Sequence, residues 1–267
     1  MERARQADED EGVLRTGDIP LGCDLCIQGR KAQVNITFLC NKSCPLCPVP
    51  GEKRDKDFLE FKGKRFSESD FEAFLSEMSK SLPPDTAGVA ISGGEPFLVF
   101  ERVMRTIEFF KTRFGKNFHV HLYTNGTKIT DEKIQKLADA GLDELRVDSL
   151  NIHVFEKLAQ APFSVVCEVP CIPTERHYDV ICRLIDRMNE LRLKRLNLNE
   201  LEVTEENADA IRKLGVTIGE NIVPESREMA RRIITYAGKY PGFNVFFCSY
   251  EIADRIRIAR NRIQDQR

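Results

Sequence analysis

Two hydrophobic rhythms alternate along the chain. Short apolar runs rich in Val, Ile, Leu and Phe fall at 32–40, 87–94, 118–126, 144–149, 163–172, 195–203 and 243–250, and read as strands. Between them, apolar residues recur every three or four positions, as on one face of a helix. Phe71, Phe74, Leu75, Met78 and Leu82 form one such stripe, behind Ser69 and Glu72 spaced as a capping box. Val103, Ile107 and Phe110 form another within 98–114. Further helices are expected from near Thr130, Tyr178 and Thr204, where Asp131, Glu132, Glu205 and Glu206 favour the positive N-terminal ends. The charged start of the chain has no such rhythm. Residues 1–20 are therefore expected as a mobile tail and 21–267 as a single domain with a C-terminal helix.

Repeated strand–helix units predict an α/β fold of parallel strands joined by right-handed crossovers. Six or seven units make a partial or nearly closed (β/α)6–7 TIM-like barrel, whose chemistry sits at the carboxyl ends of the strands. Three polar motifs fall at those ends. Cys40, Cys44 and Cys47 follow the first strand, "SGGEP" (92–96) the second and "YTNGT" (123–127) the third. Separate motifs thus converge on one rim.

Composition narrows the setting. The 267 residues are 42% hydrophobic, enough for a sizeable core, and the formal charge of −2 calls for neither nucleic acid nor membrane. No export signal opens the sequence, and no apolar run nears the roughly 20 residues of a membrane span. A soluble, cytoplasmic protein is expected. Nine cysteines, an odd number without an export signal, point to reduced thiolates holding metal rather than disulfides. Cys182 is the exception, at an apolar helical position that suits core packing. The C-terminal arginines Arg255, Arg257, Arg260, Arg262 and Arg267 read as a solvated helix face, with RNA contact the lesser alternative.

C-x3-C-x2-C puts three thiolates on one loop. A structural zinc site normally closes with four ligands, and iron–sulfur clusters also usually take four. Three would leave one iron of a cluster open to a small chelating ligand. "CNKSCPLC" followed by "GGEP" about 45 residues later resembles the radical S-adenosylmethionine (radical SAM) superfamily. The resemblance implies that Cys40, Cys44 and Cys47 hold a [4Fe–4S] cluster. It implies that the methionine part of S-adenosylmethionine binds the open iron. Ser92, Gly93, Gly94 and Glu95 would meet its amino group, and Leu46 would lie near the adenine, where the superfamily usually has an aromatic residue. "GCDLCIQGRK", "HVHLYTNG", "AGLDELRVD", "CEVPCIP", "LNLNELE" and "VFFCSYEIADRIRIARNR" resemble an archaeal family related to pyruvate formate-lyase activating enzymes. An electron donor such as ferredoxin or flavodoxin is implied as well.

The remaining polar residues leave several readings open. Cys23 and Cys26 precede the first strand as a C-x2-C pair, and Cys248 ends the last. If the barrel closes, the three could hold a second iron–sulfur cluster, with a fourth ligand from Cys171 or a non-cysteine residue. Structural zinc at the pair, or plain packing, is the competing reading. Cys167 reads as core. Glu168, in an apolar strand, needs a partner, which a barrel interior would supply. His119, His121 and Tyr123 share a face that is either the lumen or a set of paired polar groups. Asn125 and Gly126 read as a turn, with Asn125 also a candidate for cofactor contact. Arg146 and Asp148 share another face, for cofactor contact or an internal ion pair. Asn197 and Asn199 share one face of the sixth strand and Glu200 and Glu202 the other, with Asn199 and Glu200 nearer the rim as substrate or ribose candidates.

The expected function is reductive cleavage of S-adenosylmethionine to methionine and a 5′-deoxyadenosyl radical, which abstracts hydrogen from a substrate. A metabolite or cofactor precursor is favoured. The alternatives are a macromolecule, by RNA modification or glycyl-radical enzyme activation, and outside the class a zinc-binding interaction module.

Overall fold

The computed structural model describes residues 8–10 and 13–262. Its strands are β1 (Asp8–Asp10), β2 (Val13–Thr16), β3 (Lys31–Asn35), β4 (Leu59–Phe61), β5 (Lys64–Phe66), β6 (Gly88–Ser92), β7 (His119–Thr124), β8 (Glu144–Val147), β9 (Ser164–Cys171), β10 (Arg195–Glu200) and β11 (Asn244–Cys248). The helices are α1 (Leu21–Ile27), α2 (Phe71–Ser81), α3 (Phe100–Phe114), α4 (Asp131–Asp139), α5 (Ile152–Leu158), α6 (Glu175–Glu190), α7 (Ala208–Arg212), α8 (Glu225–Ala237) and α9 (Tyr250–Arg262).

All strands join one sheet, in the order β1-β2-β11-β10-β9-β8-β7-β6-β3-β4-β5. From β3 through β6 to β11 every neighbouring pair is parallel, and chain order is spatial order. These strands are the ones the apolar runs predict. Antiparallel additions flank them: β2 pairs with β11, and β4 with β3. The two edges of the arc do not pair among the described residues. The fold is thus a partial TIM-like barrel, and α1 packs against β3, β6, β7 and α9.

Strand alternation sorts the two faces. Outward residues such as Val34, Ile91, Val120, Leu122, Leu145, Val165, Leu196 and Phe247 meet the helices in one continuous core. Phe74, Phe110 and Phe155 are fully buried in it. Each such ring contributes about 1.5–3 kcal/mol relative to exposure. Most inward residues are polar, and Lys31, His119, His121, Glu144, Arg146 and Asn197 are all buried. The apolar core therefore lies between sheet and helices, while the lumen is a packed polar layer.

Three expectations need correction. The tail expected over 1–20 is only partly outside the described residues: Leu14 and Thr16 of β2 are buried against β11, because β2 covers an otherwise unpaired edge. The capping box uses Ser67 and Asp70 instead of Ser69 and Glu72, since a short 3₁₀ turn precedes α2. Near Thr204 only the five-residue α7 forms, after a run of turns. The helix expected at Thr130 does form, with the Thr130 hydroxyl accepting from Lys133 N at 3.3 Å.

Candidate active site

Beyond Asn35 the chain continues extended along the end of β6. Ile36 N donates to Ser92 O at 3.0 Å, Gly94 N to Thr37 O at 2.8 Å and Glu95 N to Leu39 O at 2.6 Å. This approach explains the glycines. Gly93 has φ +134°, and a Cβ there would overlap the Thr37 carbonyl oxygen; one at Gly94 would overlap the Leu39 carbonyl. The cysteine loop and the glycine turn are therefore stitched together backbone to backbone.

The cysteine loop is also pinned from behind. Asp57, on its return limb, accepts from Arg102 Nη1 at 2.6 Å and Nη2 at 2.7 Å, and from the Thr37 hydroxyl at 2.9 Å. Arg102 Nη1 reaches Ile36 O as well, at 3.1 Å. These bonds hold the Asp57 carboxyl below the usual range, against partial burial. Arg54 Nη2 donates to Cys47 O at 2.6 Å, fixing the far end of the loop.

On that loop Cys44 is exposed, while Cys40 and Cys47 are half-buried. Surrounding protein raises the Cys44 thiol, and Asp148, Cys40 and Cys47 add to the rise. The three sulfurs therefore share one neighbourhood, opposite the end of β8. Among the described residues no three Cys, His, Asp or Glu side chains stand close enough to hold a single metal ion. In a cubane cluster each thiolate binds a different iron, so the ligands are spread wider than around one ion. Three loop thiols beside a glycine cradle fit such a cluster.

The structure places the other candidates as follows. Leu46 packs in a satellite apolar group with Leu201, Ile211 and Val223, beside α7. Asn125 Nδ2 donates to Asn41 Oδ1 at 2.9 Å and lies 3.9 Å from Cys40 Sγ, so the turn residue ties β7 to the cysteine loop. Asp148 is open to solvent yet ringed by protein. That enclosure, with Glu168 and Glu95 nearby, raises its carboxyl to about 6. Glu168 accepts from Arg146 Nη1 at 2.7 Å, Asn197 Nδ2 at 3.3 Å and Asn199 Nδ2 at 3.2 Å. Arg146 also donates through Nε to Glu144 at 2.6 Å. Burial opposes the Arg146 charge, but Cys23, Glu168 and Glu144 outweigh it and keep the guanidinium protonated. His119, His121 and Tyr123 line the lumen beside this network, His121 edge-on to Tyr123.

Two candidates point elsewhere. Glu95 is fully buried, and its carboxylate accepts from Phe97 N, the Thr124 hydroxyl and Asn125 N at 3.0, 2.7 and 2.6 Å. Its side chain braces the rim, and its backbone N–H and C=O already bond Leu39 O and Leu98 N. Glu200 lies on the outer face of β10 and accepts the Tyr250 N–H at 2.7 Å, at the start of α9. The strand period turns it away from the face that Asn199 occupies.

Thr37, Asp57 and Arg102 were not legible as site residues. The one available signal was Arg102 on the apolar stripe of α3, a charge that needs a partner when buried. The polarity of Lys31 at the start of β3 likewise marked the lumen.

The sequence model described as the radical SAM superfamily matches residues 34–156, from β3 through most of α5. Over those residues the chain is similar to this superfamily of enzymes, whose members use a [4Fe–4S] cluster and S-adenosylmethionine. A Methanocaldococcus jannaschii protein named "Putative glycyl-radical enzyme activating enzyme MJ0021" is 28% identical over 264 residues, covering 92% of this chain and 67% of that protein. The 7,8-dihydro-6-hydroxymethylpterin dimethyltransferase of the same organism is 25% identical over 172 residues, covering 62% of this chain and 31% of the enzyme. Among solved structures, Streptococcus suis SuiB superposes with a TM-score of 0.56 at 14% identity, covering 82% of this chain and 49% of SuiB. A second SuiB structure, bound to S-adenosylmethionine, gives the same TM-score. At that identity the likeness concerns the fold alone. The chain spans about half of SuiB and less than a third of the pterin dimethyltransferase.

Proposed function

We propose that this chain cleaves S-adenosylmethionine reductively at the rim and uses the resulting radical to take hydrogen from a small polar metabolite or cofactor precursor. The observation that carries this reading is the backbone stitch from Thr37 and Leu39 to Gly94 and Glu95, which sets the three thiols beside the glycine turn. Cys40, Cys44 and Cys47 would hold the cluster, which supplies the electron for cleavage. Ser92, Gly93 and Gly94 offer backbone groups to the methionine end of the cofactor, and Leu46 an apolar surface to its adenine. Asp148, Glu168 and Asn199 lie where the lumen opens onto the rim, and suit hydroxyl or amine groups of cofactor or substrate. A reduced ferredoxin or flavodoxin is the natural electron source for such chemistry.

A second substrate class has a specific supporting observation. The M. jannaschii relative matching 92% of the chain is named as an activator of a glycyl-radical enzyme, whose substrate is a protein. RNA has less support. Arg257, of the C-terminal basic run, pairs with Glu202 at 3.1 Å, and Arg267 lies outside the described residues.

The test is anaerobic incubation of reconstituted protein with dithionite and S-adenosylmethionine, read as 5′-deoxyadenosine by chromatography. The low-molecular-mass filtrate and the macromolecular fraction of a cell extract are then added separately. Cleavage stimulated by the filtrate supports a small substrate, and stimulation only by the macromolecular fraction replaces it with a protein or RNA. No cleavage under any condition overturns the reading.

A further inference from the structure

The lumen holds a second group of thiols that the rim chemistry does not use. Cys23 and Cys26 lie three residues apart on α1, and so share one side of that short helix. Cys248 ends β11, in register with Asn199 of β10 and two residues beyond Phe246, on the inward face. Residues 222 and 225 positions apart are thereby brought to one place: Cys23, Phe246 and Ile252 form a separate buried cluster against which Cys248 packs.

Their surroundings are not those of idle core thiols. Cys23 Sγ lies 3.1 Å from Arg146 Nη2 and 3.4 Å from Asn197 Nδ2, both buried donors aimed at sulfur. Gly22 permits this approach, since a Cβ there would lie 2.8 Å from both Arg146 Nη2 and Glu144 Oε1. Lys31 is a second buried basic group, its Nζ 2.6 Å from His119 Nδ1. Cys167 and Cys171 show the contrast. They sit on the outer face of β9, where Cys167 lies 3.8 Å from Ser149 O and Cys171 donates to Ser226 O at 3.2 Å. Cys171 thereby drops out as a fourth ligand.

We propose that Cys23, Cys26 and Cys248 hold a second [4Fe–4S] cluster, set between α1 and the end of β11. On binding, the three thiols lose their protons. A cluster core of charge +2 with three thiolates carries a net charge of −1, and the Arg146 Nη2 and Asn197 Nδ2 donors already face one of those sulfurs. Among the described residues no three Cys, His, Asp or Glu side chains form a single-ion site. A cubane, in which each thiolate binds a different iron, suits three thiols from α1 and β11 better than four-ligand zinc does. The cluster would tie α1 to the end of β11, and it would lie beside the Arg146–Glu168 pair that reaches toward the rim.

The test uses the full chain reconstituted anaerobically with iron and sulfide, with iron, zinc and acid-labile sulfide measured per chain and Mössbauer spectra recorded. The wild type should hold about eight irons and eight sulfides. The C40A/C44A/C47A and C23A/C26A/C248A variants should each hold about four. The first of these variants changes only the surface loop, so it reports on the lumen site even if the second folds poorly. Four irons in the wild type and none in C40A/C44A/C47A would overturn the proposal, as would zinc without sulfide in that variant. Iron missing from C23A/C26A/C248A but present in C40A/C44A/C47A would instead count against the rim cluster, so the two failures are distinguishable.

Discussion

Glu95 Oε2 accepts the backbone N–H of Asn125 at 2.6 Å, so the last polar residue of the glycine turn holds the end of the neighbouring strand. With Thr124 and Phe97 as its other donors, this buried carboxylate has acceptor duties only, and burial raises its pKa while those donors oppose the rise. Glu95→Gln would turn an NH2 group toward one of these donors. The unmade bond should cost about 1–3 kcal/mol in urea unfolding. Calorimetric titration of the reconstituted variant with S-adenosylmethionine should show weaker binding, because Asn125 also steadies the cysteine loop.

Arg102 and Asp57 pin the same loop from the other side. Asp57 is partly exposed, which limits the energy, so Arg102→Met should destabilise the chain by about 1–3 kcal/mol. The pH dependence has a definite sign. Because the Asp57 pKa is depressed in the fold, chiefly by its Arg102 hydrogen bonds, its stabilisation is complete above the ordinary carboxylate range. It is lost as pH falls through the folded value. Urea melts at stepped acid pH should show this loss in the wild type and not in Arg102→Met.

Gly93→Ala tests the stitch. The new Cβ would overlap the Thr37 carbonyl at a φ of +134°. The variant should keep the lumen and core but lose most of its iron at the rim. Iron analysis in a C23A/C26A/C248A background, with circular dichroism as the folding control, checks this. Full iron loading would show that the glycine is dispensable.

Lys31 Nζ lies 2.6 Å from His119 Nδ1, a buried basic pair. Burial lowers Lys31 from 10.5 to about 7, and burial together with Lys31 lowers His119 from 6.5 to about 4. In both windows the unfolded chain binds more protons than the folded one. Each group therefore makes stability rise with pH, between about 4 and 6.5 for His119 and between about 7 and 10 for Lys31. In iron-free protein, Lys31→Met should remove the upper rise. Urea unfolding of wild type and variant across that range checks it, and an unchanged slope would contradict it.

Much of this was readable in the residues. All the parallel strands followed from apolar periodicity, and their carboxyl ends placed Cys40, Gly93 and Asn125 on one rim. The approach of Cys23 and Cys26 to Cys248 was expected only if the barrel closed; the sheet stays open over the described residues, and Cys23 instead meets Phe246 and Ile252, against which Cys248 packs. What escaped was decided by partners distant in sequence. Period alone could not say that Glu95 would spend its carboxylate on β7, or that Glu200 would accept from the start of α9. β2 escaped because its pairing with β11 depends on an edge that exists only once the sheet is built. The polar lumen was undecided for a related reason: alternation shows that two faces differ, and only the assembled helices show which face is outside.

The central claim is that Cys40, Cys44 and Cys47 hold a cluster whose open iron receives S-adenosylmethionine. The direct measurement is electron paramagnetic resonance of the dithionite-reduced C23A/C26A/C248A protein, with and without S-adenosylmethionine. The expected result is a reduced-cluster signal whose g values shift when the cofactor is added, and which is absent when Cys40, Cys44 and Cys47 are also replaced by alanine. A signal that S-adenosylmethionine leaves unchanged, or one that survives loss of all three rim cysteines, would contradict it.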